Sequence, residues 1–66
     1  MIKEIDIYTT EGRINFVVGN GIMVNGQASN SIVTKITQSL FKKTVYIYLS
    51  NKEVLEYYNF QYILIK

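Results

Sequence analysis

Ser31 to Lys43 reads SIVTKITQSLFKK, and whether this stretch coils or extends decides the fold of the chain. Ile32, Val33, Ile36, Leu40 and Phe41 fall at helical spacing, and Asn30 or Ser31 could cap such a helix. The same stretch is dense in Ile, Val and Thr, whose branched Cβ atoms suit a pleated surface better than a helical one. The composition favours a strand, and a single helix at 31–43 is the alternative. As a regular strand it sets Ile32, Thr34 and Ile36 on one face and Val33, Lys35 and Thr37 on the other, so that Ile36 is inside, Lys35 outside and Val33 turned to solvent. As a helix it makes Val33 part of the apolar stripe.

Outward from that segment the dominant period is two. Ile5 and Ile7 alternate with Asp6 and Tyr8, TEG at Thr10–Gly12 supplies a turn, and Ile14, Phe16 and Val18 share the next apolar face. GNG at Gly19–Gly21 makes a second turn, IMVNG a third short strand, and QASNS at Gln27–Ser31 a polar loop. Beyond Lys43, TVYIYLS, VLEYY and FQYILI read as strands separated by NKE and by a break near Asn59. The first and last parts echo one another at an offset of about 40 residues, IDIY against VYIY, as three-stranded meanders of alternating residues do. The expectation is one all-β domain over residues 1–66, a small sandwich or barrel of six to seven short antiparallel strands arranged as two three-stranded meanders.

A chain of 66 residues buries only about 60% of the surface its unfolded form exposes. Cysteine and histidine are both absent, which removes disulfides and the usual zinc ligands, so neither a metal nor a cofactor is expected. Self-association is the remaining means of enlarging the core, and a homodimer is favoured. FQYILI sets Phe60, Tyr62 and Leu64 opposite Ile63 and Ile65, apolar on both faces, as in a strand covered on two sides. Phe60, Tyr62, Ile63 and Ile65 are therefore the candidate oligomer interface.

Val45, Ile47 and Leu49 take the inner face of TVYIYLS and leave Tyr46 and Tyr48 outside, where Tyr8 of the echoing strand also points. Such tyrosines either stabilise the sheet as cross-strand pairs or form a binding surface, since tyrosine joins an apolar body to a hydrogen-bonding tip. Tyr8, Tyr46 and Tyr48, with Lys35 and Lys43 beside them, make the candidate surface, for a protein or for stacked bases.

Catalysis finds little support. The five carboxylates are scattered, and histidine and cysteine, the usual bases and nucleophiles, are missing. GNGIMVNG has the glycines of a phosphate loop without the Walker spacing. A net charge of +2 is too weak for a dedicated duplex-DNA binder. No apolar run approaches a membrane span or a signal-peptide core, so no membrane association is expected and the cytoplasm is the expected location. Lys, Asn, Ile, Tyr and Phe supply 31 residues, and their codons are rich in A and T, as in the genes of low-GC bacteria, phages and plasmids.

The expectation for function is a small non-enzymatic protein-protein interaction module, in the manner of a phage or mobile-element accessory protein that inhibits a host factor by binding. One alternative is a single-stranded nucleic-acid binder using the Tyr/Lys face. Another is an oligomer that sequesters a small anionic ligand between subunits near GNG and NGQ.

Overall fold

The computed structural model describes the backbone of residues 1–24 and 27–66 and the side chains of residues 1–22 and 30–66. Among the described residues seven strands account for the fold: β1 (Glu4–Thr9), β2 (Gly12–Val17), β3 (Gly21–Val24), β4 (Gln27–Ser39), β5 (Thr44–Leu49), β6 (Val54–Tyr57) and β7 (Tyr62–Ile65). They form a three-stranded sheet in the order β2-β1-β7 and a four-stranded sheet in the order β3-β4-β5-β6, with every pairing antiparallel. The all-β expectation holds, and the helical alternative at 31–43 is set aside. Residues through Ser39 are strand, and 40–43 form the turn into β5.

Three details differ from the expectation. The polar run Gln27–Ser31 is the first part of β4 rather than a loop. The strands do not pair as two meanders, because β3 pairs with β4 and β7 returns to β1. The echo survives only in part in strand length: β1 and β5 are six residues each and β3 and β7 four each, but β2 has six and β6 four.

The third difference lies in the deciding segment. Val33 is buried at 1% exposure while Ile32 is 44% exposed, the reverse of a regular strand phased on Ile36. The register explains it. Val33 faces Leu49 and Lys35 faces Tyr48, so Thr34 is an extra residue with no opposite number, a β-bulge. Its hydroxyl donates to the Tyr48 carbonyl at 3.1 Å, which pins the extra residue. Beyond the bulge the phase is reset, and Ile36 returns to the same side as Val33.

β4, at 13 residues, is long against the usual five or six, and it serves two neighbours. Its first half pairs with β3 and its second half with β5. At the crease, Val33 also bonds to the turn after β2: Gly19 N–H donates to the Val33 carbonyl at 2.8 Å, and Val33 N–H donates to Asn20 at 2.9 Å. Gly19, at φ 96°, supplies the left-handed backbone this turn requires.

The two sheets meet through their inner faces. Ile5, Ile7 and Phe16 from one, and Val33, Ile36, Val45, Ile47 and Leu49 from the other, make a single buried cluster. Tyr57 packs against Phe16 at 5.5 Å between ring centroids, and its burial pushes the phenol pKa up. Hydrogen bonds join the sheets where the turn after β2 meets β4, and among the described residues the edge strands β2, β3, β6 and β7 each pair on one side only. The accessible surface is 4953 Å², above the roughly 4,300 Å² usual for a chain of this mass. That excess fits a half-barrel with an unpaired side.

Candidate functional site

The tyrosines of the candidate surface separate into two groups. Tyr46 and Tyr48 lie half-buried on the outer face of the four-stranded sheet, opposite Thr37 and Lys35 of β4 and Glu56 and Val54 of β6. Lys35 Nζ stands over the Tyr48 ring at 5.5 Å from its centroid. Tyr8 belongs instead to the outer face of the three-stranded sheet. There it stacks on Tyr62, with centroids 4.4 Å apart and planes at 11°. Because the sheets share a core between them, Tyr8 does not join Tyr46 and Tyr48 in one surface. Of the expected set, Tyr46, Tyr48 and Lys35 come together, and Tyr8 and Lys43 do not join them.

Lys43 sits in the β4–β5 turn at φ 50°. It lines an open cleft of about 440 Å³ with Gln38, Leu40, Tyr58, Phe60, Tyr62 and Ile63. Phe60 and Ile63, expected at an oligomer interface, are half-buried and pack against the core of their own chain. Tyr62 is exposed and links the cleft to the Tyr8 stack.

The turn beside this cleft carries the feature that the alternating pattern did not reveal. Leu40 is 79% exposed and Phe41 96% exposed, with Tyr58 at 73% across the cleft. Turns are ordinarily built from Gly, Asn, Asp and Ser, and this one presents two large apolar side chains. Its shape is fixed from both ends: Lys42 N–H donates to Ser39 Oγ at 3.2 Å, and Thr44 Oγ1 donates to the Lys42 carbonyl at 3.0 Å. The signal available in the sequence was LFKK itself, a Leu-Phe pair at a point where neither strand's alternation uses it.

A second group absent from the expectation surrounds Asp6. Its carboxylate lies on the outer face of the three-stranded sheet, yet its side chain is 2% exposed because longer neighbours lie over it. Asn15 Nδ2 donates to Asp6 Oδ1 at 2.6 Å and to Glu4 Oε2 at 2.9 Å. Lys66 Nζ reaches Asp6 at 3.2 Å and Glu4 at 3.7 Å, and Arg13 reaches Asp6 at 3.8 Å. The Asn15 hydrogen bond first, then Lys66 and Arg13, hold Asp6 below the usual carboxylate range against the opposing effect of burial. The Asp6 hydrogen bond and the two carboxylates raise Lys66. A carboxylate held ionised in this way is a weak proton acceptor, and the cluster is a clasp joining β1, β2 and the residue after β7.

The anion pocket expected near GNG meets a specific obstacle. The Gly19 and Asn20 amides already donate to Val33 and Val17 carbonyls. The NGQ end falls on Asn25 and Gly26, outside the described residues. Among the described residues no group of three or more His, Cys, Asp or Glu is placed to hold a metal ion. Among the described residues no helix is long and apolar enough to cross a membrane. Comparison with protein-family models, with curated proteins and with solved structures finds no match to this chain.

Proposed function

We propose that the chain is a non-enzymatic binding module that engages a protein partner through the β4–β5 turn, with Leu40 and Phe41 as anchors. One observation carries this reading: a turn braced by Ser39 and Thr44 holds two large apolar side chains in water beside a cleft. Each such side chain contributes about 1.5–3 kcal/mol when fully buried, and a turn already held in shape loses little freedom on binding. The cleft favours a protein over a flat apolar surface. Its rim carries Gln38, Gln61 and Lys43 as polar contacts around Tyr58 and Tyr62, the mixed lining typical of a protein contact.

The nucleic-acid reading is weaker. Lys35 already occupies the face of Tyr48, and Glu56 stands opposite Tyr46, placing a carboxylate beside the rings where a phosphate chain would pass.

Affinity capture with nuclease-treated lysate tests the proposal. The unmodified chain and a Tyr46→Ala/Tyr48→Ala variant should retain the same protein. A Leu40→Ser/Phe41→Ser variant should lose it, by at least about 30-fold in affinity for anchors of 2 kcal/mol or more. Capture unchanged by the turn substitutions, capture abolished by nuclease, or retention on anionic vesicles in its place overturns the reading.

A further inference from the structure

We propose that β7 pairs antiparallel with β7 of a second copy of this chain, in the register that sets Leu64 opposite Leu64 of that copy. The first observation is an incomplete layer. Ile65 lies opposite Ile5 on the core side of the sheet, yet Ile65 is 48% exposed while Ile5 is 0% exposed. The inner layer stops at β7 for want of a further strand.

The second observation is the direction of the backbone groups. Lys66 N–H donates to the Glu4 carbonyl at 3.0 Å across the β1–β7 pair. Antiparallel strands direct alternate residues to alternate sides, so Lys66 and Leu64 turn their peptide groups toward β1, and Ile63 and Ile65 turn theirs to the open edge. A second β7 offers the same two residues. Setting Ile63 against Ile65 of the second copy, and Ile65 against its Ile63, uses the outward N–H and C=O of both residues on both strands. The neighbouring register, Ile63 against Ile63, brings Ile65 to Gln61, whose N–H already donates to the Tyr8 carbonyl at 2.7 Å.

The side chains agree with that register and identify the occupant as a second copy. On the outer face Leu64 meets Leu64 at the two-fold axis. Tyr62, stacked on Tyr8, faces the aliphatic stem of Lys66 of the second copy, whose ammonium stays on its own Asp6 and Glu4. On the inner face Ile63 meets Ile65 and completes the interrupted layer. Glu4, Asp6, Arg13 and Lys66 sum to zero charge in each copy, so the seam brings no net repulsion. The contact is isologous and closed, which consumes the unpaired edge instead of leaving it to propagate.

The test uses the axis. Sedimentation of the unmodified chain from micromolar to millimolar concentration should show a reversible dimer. Leu64→Glu and Leu64→Lys should each sediment as monomers, with the dissociation constant raised at least about tenfold by like charges on the axis. An equimolar mixture of the two should dimerise again. A Leu40→Ser/Phe41→Ser variant should remain a dimer, which separates this contact from the turn surface. Because charge beside Asp6 could unfold the variants, amide exchange of the unmodified chain gives an independent readout, with Ile63 and Ile65 protected only at concentrations where the dimer forms. A monomer throughout, a dimer indifferent to both Leu64 substitutions, or fast exchange at Ile63 and Ile65 in the dimer overturns the proposal.

Discussion

Val33 and Ile36 stand three positions apart on one strand and both enter the core, because Thr34 is extruded between them. An interval of three is a helical interval, and in this chain a bulge produces it. The pair predicts a sharp contrast between neighbours. Val33→Lys places an unpaired charge in the core and should destabilise by about 3 kcal/mol or more, whereas Ile32→Lys, at a half-exposed position, should stay within about 0.5 kcal/mol. Urea midpoints of the two variants check this. Equal effects would mean that the bulge does not set the phase.

Acid should loosen the Asp6 clasp first. Asp6 titrates below its ordinary value in the folded chain. Its contribution is therefore fully present above the unfolded value near about 3.9 and is lost as pH falls through the depressed folded value. Thermal melts should decline below about pH 4, and Asp6→Asn should flatten that acid limb. An acid limb unchanged in Asp6→Asn would assign the sensitivity to other carboxylates.

At the alkaline end the sign is opposite. Lys66 is raised by its hydrogen bond to Asp6, and Tyr57 is raised by burial. Both contribute stability that is present below their ordinary values near about 10 and lost as pH rises through the raised folded ones. Tyr57→Phe should keep the ring against Phe16 and remove one of the two, so its melting temperature should fall less steeply above about pH 10 than that of the unmodified chain. Parallel curves would leave Lys66 as the source.

Lys43 and Lys52 hold φ values of 50° and 72°, a left-handed backbone that costs a residue with a Cβ about 1–2 kcal/mol. Lys43→Gly and Lys52→Gly should each relieve part of that cost, offset by the greater freedom of glycine in the unfolded chain. The net gain should be below about 1 kcal/mol, read from denaturant midpoints. Loss of stability on either substitution would show that the lysine side chain contributes more than its backbone strain removes.

The inner face was legible where alternation ran unbroken. Ile5 and Ile7, and Val45, Ile47 and Leu49, could be placed from their spacing alone, because a strand buried on one side leaves a period of two. Val33 could not, since a bulge has no residue signature and shifts the phase without changing composition. The return of β7 to β1 was equally hidden, because Ile63 and Ile65 would suit many partners and nothing local selects Ile5 and Ile7. The Asp6 clasp depends on that same long return. Glu4 and Asp6 share a strand face by spacing, but Lys66 reaches them only once β7 lies alongside. Of the tyrosines, position on an outer face could be read, and which outer face could not.

The β1–β7 pairing also sets an order of events. Hairpins β1–β2 and β4–β5 join residues near in sequence, but Ile5 meets Ile65 only after nearly the whole chain has closed into one loop. Loop closure of that length is an entropic expense that no local contact offsets beforehand. The three-stranded sheet should thus gain its last member late in folding and shed it early in unfolding. A native-state fluctuation that breaks the Lys66 contacts would peel β7 away and bare the flank of β1.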